Sequence, residues 1–230
     1  MRPLQSSDVA ELAVLASLRA RAFYEDLAER QQLPCPPRFA ASFEKDFASR
    51  EAASLSARIS GRSGASLRCV CLAAFSPDDD TVLGGLDVSC LSGAPASTVS
   101  GSVVPPQNGA PFLYIDNAVV AEPYRRSGVA SALLRAASVV AEAGAQPGQS
   151  SPRVWAHVDA DNLAARRLYA GFGFEAFVDE GGAAPAGARP RGLLLLSAPL
   201  PLAPPLHGES GDGGCGCGAA RWPIACACRR

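Results

Sequence analysis

Lysine is almost missing from this chain: Lys45 is the only one among 21 lysines and arginines, and the formal net charge is −1. With no polybasic block and no excess of one sign, the sequence excludes a general electrostatic attraction to nucleic acid or to an anionic lipid surface. No apolar run approaches the roughly 20 residues that a membrane-spanning helix needs. Two phosphate-binding signatures are also missing. There is no Gly-Lys-Ser/Thr, which excludes a P-loop, and no G-x-G-x-x-G followed by an acidic residue, which leaves a dinucleotide fingerprint unsupported. No signal peptide is visible, and the early carboxylates Asp8, Glu11, Glu25 and Asp26 argue against a transit peptide within these residues.

What is present suits a single α/β domain, because 230 residues with 48% hydrophobic content can bury a substantial core. The 22 glycines and 19 prolines concentrate in three places, 92–111, 181–191 and the tail after Ala203, which read as loops and an extension. Residues 92–111 are expected to form a flexible insertion loop. Cys35, Cys69, Cys71 and Cys90 are scattered, three of them in apparent strands, and read as reduced thiols of an intracellular protein. Four more cysteines form Cys215-x-Cys217 and Cys226-x-Cys228 in a Gly/Ala-rich stretch. Zinc sites favour C-x-x-C within a ligand-rich fold, so 203–230 is expected to be a disordered tail and no metal site is assigned.

Along the chain, 2–4 read as a first strand, and Asp8 with Glu11 three residues later resembles a capping box that starts a helix running to about residue 30. Pro34, Pro36 and Pro37 interrupt the pattern. A second helix over 39–60 follows, with Phe43, Phe47 and Leu55 on its inner side. Residues 67–75 and 82–90 read as antiparallel strands joined by an acidic turn, and 172–178 and 193–200 as late strands.

The densest information lies in 114–175. The β-branched run 115–120 feeds into a turn bearing Arg125, Arg126, Ser127 and Gly128, then into a helix over 129–143 with Gly144 as its stop. Small residues let the main chain approach a ligand there, and the unpaired N–H groups of a first helical turn favour an anion. A strand over 154–159 places Val154, Ala156 and Val158 on one face and Trp155, His157 and Asp159 on the other. Asp161 reads as N-cap of a helix over 162–170, on which Asn162 and Tyr169, seven residues apart, fall roughly 20° short of two full turns and so share a face.

Arg125-x-x-Gly128-x-Ala130, followed by Asn162-x-x-Ala165-x-x-Leu168-Tyr169-x-x-x-Gly173-Phe174, resembles the GNAT superfamily of acetyl-CoA-dependent N-acetyltransferases. These motifs span about a quarter of the chain, and the order of elements over 2–200 agrees. The general similarity is to plant and algal plastid GNAT proteins that acetylate protein N-termini and lysines.

The resemblance implies a mixed, mostly antiparallel sheet flanked by helices, with splayed central strands forming an acetyl-CoA cleft in a domain over 1–202. It implies main-chain contacts to acetyl-CoA from Ala118, Val119 and Val120, and a diphosphate held by Arg125, Arg126, Ser127, Gly128, Val129, Ala130 and Ser131. Asn162 would bind the pantetheine arm. Tyr169 would protonate the departing thiolate, and His157 would be the base that keeps the amine neutral. Tyr169 also reads as a core aromatic and His157 as a half-buried strand residue. Glu122, Asp116 and Asp159 are further candidate bases.

By resemblance the acceptor is a protein or peptide amine, with a small amine or a non-catalytic CoA-binding module as alternatives. Lys45 would be the single internal lysine open to self-acetylation. The compartment implied is the chloroplast, or the cytoplasm if Met1 is the true start.

Overall fold

The computed structural model describes residues 1–29, 36–62, 66–91, 112–144, 153–177 and 193–202. The segments expected to be loops at 92–111 and 181–191, the tail 203–230, and Cys35 lie outside the described residues. In chain order the elements are β1 (Arg2–Pro3), α1 (Val9–Glu29), α2 (Ala40–Ile59), β2 (Ser66–Phe75), β3 (Val82–Leu91), β4 (Phe112–Val120), α3 (Val129–Gly144), β5 (Arg153–Asp159), α4 (Leu163–Gly171), β6 (Glu175–Ala176) and β7 (Leu193–Pro199). Short 3-10 turns at Pro37–Phe39 and Glu122–Tyr124 lead into α2 and toward α3. No helix among the described residues is long and apolar enough to cross a membrane.

The strands form one seven-stranded sheet in the order β1-β2-β3-β4-β5-β7-β6. All pairings are antiparallel except β4 with β5. The two-residue period of β2 sorts its side chains into two cores. Cys71 and Ala73 pack with Leu12 and Leu15 of α1 and Leu55 of α2. Leu72 and Ala74 join the cluster that holds Leu133, Leu134 and Ala137 of α3. Apolar burial of this kind contributes about 25 cal/mol per Å².

Register explains why the sheet opens at its centre. β4 and β5 pair at only three positions, Leu113↔Val154, Tyr114↔Trp155 and Ile115↔Ala156. Beyond them β4 stays with β3 as far as Val120, while β5 stays with β7 through Asp159. Between Gly85↔Val119 and Asp87↔Asp116 the β4 strand holds one extra residue, and Asn117 takes φ 52°. Such a bulge bends its strand and increases local twist, which turns the end of β4 away from β5. The bent strand lies very close to β3: a Cβ on Gly84 would sit 2.4 Å from the Val119 carbonyl oxygen.

Three local expectations are corrected. Asp8 does begin α1, its carbonyl accepting the Leu12 N–H at 2.9 Å, but its carboxylate takes Arg2 at 2.6 Å and the Gln5 N–H at 3.0 Å, and Glu11 also takes Arg2. The reciprocal capping box therefore gives way to a clamp on Arg2. Of the expected strand over 172–178, whose last residue lies outside the described residues, only Glu175–Ala176 is a strand. Phe172 and Phe174 instead close α4, both donating to the Tyr169 carbonyl, with Gly173 at φ 79°. Both rings are buried there, so their apolar alternation reflects a helix stop rather than a strand. Finally β4 begins at Phe112, three residues earlier than expected.

Candidate active site

The opening between β4 and β5 is a cavity of about 570 Å³ whose walls include β4 after Ile115, the last residues of β5, and side chains of α1, α2, α3 and α4. Along its β4 wall, Ala121 donates its N–H to the Leu83 carbonyl, so residue 121 and, by the two-residue period, residue 119 address β3. Ala118 and Val120 consequently direct their main-chain groups to the unpaired edge. Consistent with this, the Val120 carbonyl accepts from Arg125 Nε at 3.3 Å. Ala118, Val119 and Val120 all line the cavity.

The turn that follows is shaped by two residues with positive φ, Arg126 at 68° and Gly128 at 87°. Ser127 Oγ donates to the Tyr124 carbonyl at 2.6 Å, holding the turn, and the first intrahelical bond runs from Ala132 N–H to the Gly128 carbonyl at 3.0 Å. The N–H groups of Val129, Ala130 and Ser131 precede that bond and are the unpaired donors of a helix start. Val129 packs its side chain into the core, so only its main chain can serve a ligand. Of this turn, Ala130 lines the cavity; Arg125, Arg126, Ser127 and Gly128 are exposed beside it. Arg125 also reaches back to α1, 3.3 Å from Glu25.

Across the opening, α4 begins with Asn162, whose Oδ1 accepts the Ala165 N–H at 2.9 Å. Asn162, rather than the expected Asp161, is therefore the N-cap. The cap uses the oxygen of the carboxamide, and its NH₂ group is not consumed by it. Two turns on, Tyr169 is buried against Phe174 with ring centroids 5.0 Å apart. Burial, and then the charge of Asp116, raise its phenol above the ordinary tyrosine range, so it stays protonated. Asn162 and Tyr169 both line the cavity, as their shared helix face predicts.

His157 lines the cavity from β5, and its Nδ1 is hydrogen-bonded to the Tyr114 hydroxyl of β4. Burial, followed by the Asp116 charge, raises the Tyr114 phenol as well. In the tautomer whose Nδ1–H is donated to the phenol oxygen, Nε2 keeps the free lone pair that a base needs. Trp155, expected on the same face as His157, is buried with its ring edge-on to Phe177. Among the other candidate bases, Asp159 and Asp116 line the cavity, and Glu122 is an exposed turn residue.

Beneath the cavity is a charge network that the sequence reading missed. Asp87 of β3 is fully buried. It receives Arg19 at 2.8 and 3.1 Å, Arg58 at 2.9 Å and Asn117 Nδ2 at 3.0 Å. Glu51 takes the same two arginines at 2.8 and 3.2 Å. Burial alone would raise the Asp87 carboxyl, but Arg19 and Arg58 outweigh it and hold the group below its ordinary value. Two arginines thus offset two carboxylates, leaving Asp116 as an extra acid. Paired with Asp87 across the strands, it is pushed up to about 7, first by burial and then by the Asp87 charge. The one available sequence signal was Asp87 itself, an acid within the otherwise apolar run of β3.

Residues 39–174 match the model of the acetyltransferase (GNAT) family. Among curated proteins none matches. Several solved structures share the fold. The PaiA N-acetyltransferase of Thermoplasma acidophilum, solved with coenzyme A, superposes with a TM-score of 0.52 at 14% identity, over 86% of this chain and 96% of that one. A GNAT-family acetyltransferase of Streptococcus pneumoniae gives 0.50 at 18% identity, over 86% and 98%. The family match covers more than half of the sequence, and the split sheet has the shape expected for it. The chain belongs to the GNAT family of acetyltransferases, acyltransferases that take the acetyl group from acetyl-CoA.

Proposed function

We propose that the protein transfers the acetyl group of acetyl-CoA to a primary amine of a protein or peptide, an N-terminal α-amine or a lysine side chain, by direct attack in a ternary complex. The observation that carries this reading is the parting of β4 and β5 after three paired residues, which leaves main-chain groups of Ala118 and Val120 facing an open cavity.

In this reading the diphosphate rests on the N–H groups of Val129, Ala130 and Ser131, with Arg125, Arg126, Ser127 and Gly128 around it. The pantetheine arm lies along Ala118, Val119 and Val120 and meets the Asn162 amide. Main-chain N–H groups of β4 stabilise charge on the acetyl oxygen as nitrogen attacks. Tyr169, still protonated, gives its hydrogen to the thiolate as the C–S bond breaks. Nε2 of His157 accepts a proton from the attacking nitrogen, in the tautomer whose Nδ1–H is donated to the Tyr114 hydroxyl.

The acceptor enters from the side where Phe23 and Phe47 line the cavity, between α1 and α2. Phe23 remains 42% exposed, which offers apolar surface to an approaching chain. The resemblance to plastid proteins supports a chloroplast location, which a fluorescent fusion of the full-length gene product would test by its distribution. For the activity, initial rates with acetyl-CoA and a peptide bearing a free α-amine should give intersecting double-reciprocal plots and peptide acetylated on nitrogen. Parallel plots with an acetylated enzyme would remove the direct mechanism.

A further inference from the structure

Among the described residues, three buried polar side-chain atoms have no hydrogen-bond partner, Arg19 Nε, Arg58 Nε and Asp116 Oδ1, and all three belong to the charged cluster beneath the cavity. An unpaired buried polar atom is destabilising, and a buried ion pair contributes little net stability compared with well-packed apolar residues. Stability alone therefore gives no reason for this cluster. What it holds in place does.

Asp87 takes Arg19 of α1 on both its oxygens, and Arg58 of α2 on Oδ2. Glu51 braces the same two arginines, so the carboxylate of Asp87 is fixed from two helices. Its one uncharged donor is Asn117, whose Nδ2 reaches Oδ2 at 3.0 Å. Asn117 stands in the bulge of β4 with φ 52°. Asparagine tolerates that region better than most side chains, commonly through a hydrogen bond close by in sequence. Here the bond instead crosses to β3, 30 residues away, so a tertiary contact holds the conformation.

A bulge is where the alternation of a strand changes phase, and a shift of one residue reverses which groups face each way. The extra residue at the bulge thus decides that Ala118 and Val120, rather than Val119, turn their main-chain groups to the unpaired edge. Downstream, the Ala121 N–H on the Leu83 carbonyl closes this segment at 2.9 Å. The turn that follows has its own bonds, Ser127 to Tyr124 and Ala132 to Gly128, and needs nothing from Asp87.

We propose that Asn117, anchored on Asp87, is a positioning residue for the thioester half of acetyl-CoA: the tie fixes the direction of the main chain over residues 118–120, while the diphosphate half rests on an independent support. This rests on the acetyl-transfer reading above and divides the cosubstrate between two separately held pieces of backbone. Because Arg19 and Arg58 carry the anchor, the helices whose Phe23 and Phe47 line the cavity also frame the strand that meets the thioester.

The test uses the full chain, calorimetry with acetyl-CoA, and ADP as a probe that has the diphosphate without the pantetheine arm. Asn117→Gly permits the positive φ and removes only the side-chain tie, whereas Asn117→Ala removes both. The Gly variant should bind acetyl-CoA about tenfold more weakly with its ADP Kd within about twofold of the parent, and the Ala variant should lose at least as much. Amide exchange should quicken over 117–121 in the Gly variant and stay unchanged over 126–132. A Gly variant within about twofold of the parent for acetyl-CoA, or one that loses both ligands in equal proportion as a general structural defect would, overturns the inference. A parent chain that binds acetyl-CoA no more tightly than ADP would instead overturn the acetyl-transfer reading itself.

Discussion

The two sides of the cavity are built in different ways. The β4–α3 side is one continuous stretch in which the turn is held by bonds three and four residues long, Ser127 to Tyr124 and Ala132 to Gly128, and it offers main chain to the ligand. The floor beneath the acceptor side is assembled from side chains far apart in sequence: Arg19 reaches Asp87 across 68 residues and Glu51 across 32, and Arg58 reaches Asp87 across 29. A site made of local main chain tolerates side-chain changes as long as its φ angles are kept. A site made of buried charges depends on every partner, because removing one leaves another uncompensated in a poor dielectric.

The sharpest way to break the second side is Asp87→Ala, which strands Arg19 and Arg58 and frees Asn117 from its anchor. Loss of one partner from a buried pair costs about 3–5 kcal/mol, and an unfolding free energy from urea melts lowered by that amount is the expected result. Next comes the chemistry. Tyr169→Phe keeps the ring and its packing on Phe174, so kcat should fall about 100-fold or more, equivalent to roughly 2.7 kcal/mol, with acetyl-CoA affinity unchanged in calorimetry.

Asp116→Asn should show its effect in stability. Because its folded-state carboxyl is raised from the ordinary value near 3.9 to about 7, the folded protein holds that proton more tightly than the unfolded chain. The ionised group therefore destabilises progressively as pH rises between those limits, and the penalty is complete above them. Denaturant melts should find Asn at 116 more stabilising at pH 8 than at pH 4, by about 1 kcal/mol or more. Asp87 has the opposite sign: its lowered carboxyl contributes stability above the unfolded value that is lost as pH falls through the folded one. The smallest effect belongs to the local side. Gly128 has φ 87° with no atom within 4 Å of where a Cβ would lie, so Gly128→Ala meets no clash and carries only the backbone cost of about 1 kcal/mol. Acetyl-CoA affinity should weaken roughly fivefold, with no change in the pH profile.

The same contrast governs what could be read from sequence. The turn at Arg125 to Ser131 and the Asn162/Tyr169 face were legible because each is a short-range pattern that folds nearly as written. Adjacent alternatives were less so: Asp161 and Asn162 are equally good caps by residue type, and only the bond to the Ala165 N–H distinguishes them. The Asp8/Glu11 pair has the form of a capping box, yet a charged partner six and nine residues earlier, Arg2, competes successfully for both carboxylates. Phe172 and Phe174 have strand-like spacing, but Gly173 with its positive φ makes them a helix stop. Arg19 drew no reading from the sequence, because nothing near it along the chain announces Asp87. The bulge at Asn117, which opens the sheet, is likewise set by a long-range bond and by the close approach to Gly84.

Amide hydrogen exchange with and without acetyl-CoA tests the central claim most directly. If the opening between β4 and β5 holds the cosubstrate, peptides covering 117–121 and 126–132 gain protection on addition of acetyl-CoA, while β1 and β2 are unchanged. Binding that leaves both segments as exposed as before, or that protects a different face of the sheet, would contradict the account.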